Sequence, residues 1–245
     1  MNVLDFCIIL CNPEGSLNIG SVCRAMANMG FSNLRIIGKK ENYDENKVNT
    51  MAIHATSIWR KAQFFNSIHE ATKDCTLVAG TTRRRGKKRK NWLLTADEFA
   101  KNFTTENNGK IAIVFGNERT GLTDDELNEC TIGVTIPTDD NFPSLNLSHA
   151  VQIICYELHK NLKNSTPKIS PINLDRLDKL IQNITKNQKK IGFFSLTGRK
   201  DMENFWRGIF SRTFLTEGEA KYIENIFAKI AGLISKQKNE CPENE

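Results

Sequence analysis

Over its first 160 residues the chain alternates short apolar runs with helix-patterned segments, and this alternation limits the fold more than any other feature. V-L-D-F-C-I-I-L (3–10), L-R-I-I-G (34–38), T-L-V-A-G (76–80), I-A-I-V-F-G (111–116) and I-G-V-T-I-P (132–137) read as strands, with A-Q-F-F (62–65) as a short one. Between them Ile19 to Gly30, most of 45–61, S-I-H-E-A-T-K-D (67–74) and Asn146 to Leu162 read as helices. Strand and helix in alternation predict an α/β fold, a mostly parallel sheet with helices on both faces. Ligands of such sheets bind beyond the carboxyl ends of the strands. The loops that matter therefore begin at Asn12, Thr81, Gly116 and Thr138.

The pattern changes after residue 163. N-S-T-P-K-I-S-P-I-N (164–173) is polar, carries two prolines and has no period, which predicts a linker. It would separate a first domain over 1–163 from a helical extension over 174–235. The extension reads as Leu174 to Asn187, Lys200 to Phe214 and Glu217 to Ser235, packing on itself or on the main domain. Thr216 with Glu219 forms the signature of a capping box at the last helix. The tail K-Q-K-N-E-C-P-E-N-E (236–245) is polar and is expected to be disordered.

Several classes of protein fit poorly. No apolar run approaches the roughly 20 residues that span a bilayer. The start M-N-V-L-D-F-C lacks a basic region followed by an apolar core. The seven cysteines are odd in number, scattered and without a C-x-x-C pair, and the four histidines do not cluster with them. Neither a disulfide framework nor a metal site is expected, and a reducing cytoplasm is. A net charge of +6 permits a nucleic-acid partner without requiring one.

Four stretches carry residues suited to chemistry. In N-I-G-S-V-C-R-A-M-A-N-M-G (18–30), helical spacing puts Ile19, Val22, Met26 and Met29 on one side, with Cys23 at its edge. Arg24 lies nearly opposite, where it either meets solvent or acts on a ligand. Gly20 and Ala27 beside it suit the close approach of another backbone, and Asn18 reads as a helix cap facing an anion. I-A-I-V-F-G-N-E-R-T-G-L-T imitates a phosphate loop, but Leu122 stands where the lysine of a triphosphate site belongs. What remains is a tight glycine turn presenting Glu118 and Arg119, then a cap formed by Thr123 and Glu126. In N-F-P-S-L-N-L-S-H-A (141–150), Ser144 or Asn146 is the helix cap. A hydrolase using Ser144, His149 and Asp139 or Asp140 lacks the G-x-S-x-G elbow. R-R-R-G-K-K-R-K (83–90) holds seven cations in eight residues, followed by Trp92. It reads as a solvated loop, a localisation signal, or a track for a phosphate backbone with an aromatic for stacking. Arg199, Lys200, Arg207 and Arg212 add positive charge near Phe205 and Trp206, aromatics expected in the helical core.

Taken in order, N-I-G-S-V-C-R-A-M-A-N-M-G, V-F-G-N-E-R-T-G-L, and I-P followed by S-L-N-L-S-H-A-V-Q-I-I-C-Y-E-L resemble the three signature motifs of the SpoU/TrmH class of SPOUT RNA methyltransferases. The likeness is strongest to its TrmJ branch. The tail resembles that branch too, in I-G-F-F, R-G-I-F-S-R and the helix opening L-T-E. The resemblance implies a C-terminal trefoil knot, an exception to the rule against knots. It also implies bound S-adenosylmethionine, a homodimer, and methylation of a ribose 2′-hydroxyl of tRNA at anticodon-loop position 32, or of another tRNA position or rRNA. Thr81, Thr82, Arg83, Gly116, Ile136, Pro143, Ser144 and Leu145 would hold the cofactor. Arg24, Asn18, Glu118, Ser144 and Asn146 would form the catalytic set, and no metal takes part. The family often has a small residue where this chain has Pro143. RNA contact through Arg84, Arg85, Lys87, Lys88, Arg89 and Lys90 follows from their charge. A noncatalytic RNA-binding protein on the same fold is the rival reading.

Overall fold

The computed structural model describes residues 5–83, 93–104, 109–162, 170–194 and 198–240, the last six of these by backbone alone. The basic run from Arg84 through Lys90 and the stacking candidate Trp92 lie outside the described residues.

Seven strands form one sheet: β1 Phe6–Cys11, β2 Leu34–Ile37, β3 Gln63–Phe65, β4 Leu77–Thr81, β5 Leu93–Thr95, β6 Ile111–Phe115 and β7 Ile132–Thr135. Their order is β3-β2-β1-β6-β4-β7-β5, and every pairing is parallel. Chain order runs outward from β1 through β2 to β3, then changes side, so β1 and β6 meet where the direction reverses. Side chains alternate across the sheet as the pleat requires. Phe6, Ile8 and Leu10 enter one core, and Cys7, Ile9 and Cys11 enter the other. Cys7, Cys11, Cys23, Cys75, Cys130 and Cys155 are all buried free thiols.

The first core is closed by α1 Ser16–Asn28, α2 Glu45–Ala52, α3 Thr56–Arg60, α5 Ala96–Phe103 and α7 Leu147–Asn161. The second is closed by α4 Ile68–Thr72, α6 Asp124–Glu129, α8 Leu174–Lys190 and α10 Glu217–Glu240, with α9 Arg199–Phe210 against α8. Helix α8 places Leu174, Leu177, Leu180, Ile181 and Ile184 on one buried stripe. At roughly 1.5–3 kcal/mol for each large apolar side chain removed from water, that stripe ties α8 firmly to the second core. Backbone bonds fix its entry: Leu174 N donates to Cys75 O at 2.8 Å, and Ile172 N to Leu215 O at 2.7 Å. Arg176 then bridges α8 to α10 through Glu217 and Glu224 at 3.0 and 2.9 Å.

Three local expectations change. Helix α1 begins at Ser16 with Gly15 as its cap, so Asn18 lies within the first turn and is not the cap. The backbone that approaches Gly20 belongs to the same chain: a Cβ there would lie 2.2 Å from Val48 O of α2. The last helix, α10, runs past Ser235, where its pattern was expected to end, to Glu240. The pair β5 and α5, closed by a Thr95–Glu98 capping box, was not expected from the sequence.

One charge is buried in the second face. Arg35 of β2 is 5% exposed. Its Nη1 and Nη2 donate to Asp74 at 2.6 and 2.8 Å, and Nη1 also donates to Ala71 O. Lys110 reaches the same carboxylate at 2.6 Å. The guanidinium, and then Lys110, hold the Asp74 carboxyl far below the usual carboxylate range. A depressed folded-state value contributes stability that is complete above the unfolded value near 4 and is lost as pH falls through the folded one. Asp74→Asn is therefore expected to lower stability at pH 7 and to flatten the acid limb of a denaturation series below about pH 4. The loss is set at roughly 1–2 kcal/mol rather than the full cost of a broken buried pair, because the Asp74 side chain is 48% exposed. Urea midpoints from pH 7 to pH 2 check it; parallel curves for the two proteins would contradict it.

Candidate active site

The carboxyl ends of β6, β4 and β7 lie side by side, and the loops that follow them surround one cleft of about 180 Å3. Thr81, Thr82 and Arg83 come from the first loop in chain order, Gly116 to Leu122 from the second, and Ile136 with Pro143 to Leu145 from the third. All eight residues expected at a cofactor therefore line the same cleft. The walls are fixed by the backbone: Thr81 Oγ1 donates to Val114 O at 3.0 Å, and Thr82 N to Val134 O at 2.9 Å. Thr138 Oγ1 closes the third loop on Pro143 O at 3.2 Å.

Gly116 has a physical reason. A Cβ there would lie 2.1 Å from both Gly121 C and Leu122 N, backbone atoms that cannot step aside. Gly121, with φ +68, closes the turn by donating to Asn117 O at 2.8 Å. Thr123 then caps α6 in a capping box with Glu126, as expected.

Around this turn the three motifs become one hydrogen-bonded unit. Glu118 accepts from Glu14 N at 2.8 Å, Gly15 N at 3.2 Å and Asn18 Nδ2 at 2.9 Å. Its carboxylate thus stands at the positive end of α1, where no side chain of the helix itself caps. Asn18 Oδ1 accepts from Asn146 Nδ2 at 3.1 Å, and Asn146 Oδ1 caps α7 by accepting from Ser148 N at 2.8 Å. Asn117 Nδ2 donates to Asn12 O at 2.9 Å, and Arg119 pairs with Glu14 at 2.9 Å, pinning the β1 loop to the β6 loop. The pairing with Arg119, and after it the Asn117 bond, draw the Glu14 carboxyl below its ordinary value. Glu14, Asn117 and Arg119 were not singled out for these roles by the sequence, since their pairing crosses more than 100 residues.

Ser144 is exposed and lines the cleft. His149 is exposed, and no hydrogen bond joins it to Ser144 among the described residues. Arg24 is exposed on α1, has no side-chain partner among the described residues, and does not line the cleft of its own chain. Six residues of helix carry it about 9 Å along the axis from Asn18. Among the described residues no group of His, Cys, Asp or Glu is placed to hold a metal ion, and no helix is long and apolar enough to cross a membrane.

The chain is similar to known proteins over most of its length. A tRNA (cytidine-2'-O-)-methyltransferase TrmJ of Methanocaldococcus jannaschii is 39% identical over 196 residues, 76% of this chain and 84% of that one. A tRNA (cytidine/uridine/adenosine-2'-O-)-methyltransferase TrmJ of Pseudomonas aeruginosa is 29% identical over 253 residues, 95% of this chain and 97% of that one. Among solved structures, TrmJ from Z. mobilis ZM4 superposes with a TM-score of 0.74 at 26% identity, over 91% of this chain and 98% of that one. The pattern of the SpoU rRNA Methylase family matches residues 5–156, more than half of the chain and all of the cleft, and the chain belongs to that family.

Proposed function

We propose that this protein transfers a methyl group from S-adenosylmethionine to a ribose 2′-hydroxyl of tRNA, at anticodon-loop position 32, as a cytoplasmic homodimer. One observation carries the reading: Glu118, Asn18 and Asn146, one from each motif, form a continuous link at the border of the cleft. The two TrmJ relatives, which act on tRNA 2′-hydroxyls, support the substrate class.

The cleft suits the cofactor. Ile136, Leu122 and Leu145 offer an apolar slot for a base, while Thr81, Thr82, Ser144 and the cationic Arg83 offer polar contacts at its edge. Gly116 lets the Gly121–Leu122 backbone of the cleft wall pack directly against it. When bound, S-adenosylmethionine supplies an electrophilic methyl on a sulfonium, so the protein's task is alignment and charge control. Asn18 and Asn146, locked in orientation by their mutual bond and by Glu118, set the position of the ribose. Ser144 assists from the cleft wall. Arg24 cannot be the base, because a guanidinium stays protonated in proteins. It holds a substrate phosphate and stabilises charge growing on the 2′-oxygen, whose proton leaves to that phosphate or to water.

Arg24 points to the dimer. Because it stands outside its own chain's cleft, this reading assigns it to the cleft of the second copy. The trefoil knot belongs to the same proposal, with the loops at 116–122 and 136–146 held by threading. Residues 1–163 act as the methyltransferase unit and 174–235 as its extension, joined by the segment 164–173. Arg84, Arg85, Lys87, Lys88, Arg89 and Lys90 follow Arg83, a cleft residue, and would carry the phosphate backbone toward the site.

The test is mass-spectrometric mapping of nucleosides from tRNA incubated with the protein and methyl-labelled S-adenosylmethionine. Labelled 2′-O-methylcytidine or 2′-O-methyluridine at position 32 is the expected product. Label elsewhere in tRNA or in rRNA moves the target; cofactor-independent RNA binding without label abandons the enzyme.

A further inference from the structure

The loop between β7 and α7 ends in cleft residues, yet its tip carries a side chain that the mechanism leaves unused. Phe142 is 83% exposed, more than any other large hydrophobic residue described. It stands immediately before Pro143, which with Ser144 and Leu145 lines the cleft. Phenylalanine is among the residue types most often fully buried; this one is nearly bare.

The local backbone is built to hold it there. Proline at 143 restricts Phe142 to extended conformations. Thr138 Oγ1 donates to Pro143 O at 3.2 Å, and Asn141 N to Asp139 Oδ1 at 2.8 Å, so the tip is braced from both sides. The backbone that carries the ring therefore has less conformational entropy to lose on contact. The charge of the tip narrows the partner. Asp139 and Asp140 are exposed on the same loop and repel a phosphate backbone. A surface that rejects phosphate but offers a bare aromatic face suits an unstacked nucleobase.

Resting on the methyltransferase reading above, we infer that Phe142 is a base-stacking residue. It receives the face of the target nucleobase, or of the base beside it, once that base leaves the RNA stack. The chemical class of its ligand is a single-stranded nucleobase, recognised by its π-face and without preference for its edges. It places the ribose while Asn18 and Asn146 orient it.

The test compares Phe142→Ala, Phe142→Leu and Phe142→Trp with the wild-type full chain on a tRNA transcript. Readouts are kcat/KM for methyl transfer, Kd for S-adenosylmethionine, and oligomeric state by light scattering. Alanine is expected to lower kcat/KM by roughly 5- to 100-fold, the range seen when a stacking aromatic is truncated. Leucine, apolar but not planar, stays low, and tryptophan recovers activity. Cofactor affinity and oligomeric state are unchanged. Equal kcat/KM in wild type and Phe142→Ala overturns the inference alone. Leucine restoring activity as well as tryptophan overturns stacking. Loss of activity together with dissociation of the oligomer overturns it in favour of a subunit contact. An inactive wild type overturns the methyltransferase reading and this inference with it.

Discussion

Arg24→Ala is expected to reduce methyl transfer by about three orders of magnitude, the scale of a charge-stabilising arginine supplied to a neighbouring site. The Kd for S-adenosylmethionine should stay within about twofold, since Arg24 does not line its own chain's cleft. Folding should survive as well. The buried residues of α1 are Ile19, Gly20, Val22, Cys23, Ala25 and Met26, and the Arg24 side chain is itself exposed. Exposed substitutions of that kind usually stay within about 0.5 kcal/mol. Lysine at 24 keeps the charge but loses the planar fork, so partial recovery is expected. The subunit question has its own test. Gly116→Val places carbon where the Gly121–Leu122 backbone already lies 2.1 Å away, which displaces that wall of the cleft but leaves Arg24 intact. Each variant alone is inactive. Co-expressed, they form mixed dimers with one whole site, an intact cleft facing an intact arginine. Recovered activity in the mixed sample is the expected result. No recovery, with mixed dimers shown to form, would place Arg24 in its own chain's reaction, and an active Arg24→Ala protein would remove it from the reaction altogether.

The sequence was legible where a residue's role depends on its immediate neighbours. The strand runs are apolar enough that every residue of β1, β2, β6 and β7 is buried, and the stripe of Ile19, Val22 and Met26 faces the core as its spacing requires. The capping boxes at Thr123 and Thr216 need only residues three apart, and both form. Asn18 misled because an asparagine before an apolar helical stretch is a common cap, while the real start of α1 is held by a carboxylate 100 residues away. A distant partner leaves no local trace. The same holds for Arg35 and Asp74: nothing in L-R-I-I announces a buried guanidinium paired across 39 residues. Strand β5 was missed because it has three half-buried residues beside a dense basic run, too short for a period to show. The spacing of α8 identifies a helix, but whether its stripe covers the sheet or its own neighbours depends on a face left open by α4 and α6. The candidate site was legible in its parts because each motif is compact. Their joining through Glu118, Asn18 and Asn146 required the fold.

That joining makes Glu118→Gln the most informative substitution of the linked set. The carboxylate receives three N–H donors, from Glu14, Gly15 and Asn18, on two oxygens. Glutamine keeps the shape but has one acceptor oxygen, and its amide must face at least one of those donors. Whichever way it turns, a bond is lost, two donors confront each other, and the negative charge at the start of α1 is gone. A lost hydrogen bond to a charged group costs roughly 1.5–3 kcal/mol. In a chain of this length, melting should fall by about 3–10 °C. The larger effect falls on chemistry. Asn18 has one amide end on Glu118 and the other on Asn146, so releasing the first frees the second, and with it the amide that caps α7. Misplacement by about 1 Å at a reacting centre costs on the order of 100-fold, and a kcat loss of that size is expected with KM for tRNA little changed. General loosening has to be separated from this. Thr216→Ala removes the cap of α10, on the far helical layer, at a cost of about 1 kcal/mol. It should lower the melting point while leaving kcat intact. If both variants lose kcat in proportion to stability, Glu118 braces the fold and does not position the asparagines; if only Glu118→Gln loses it, the three motifs work as one unit.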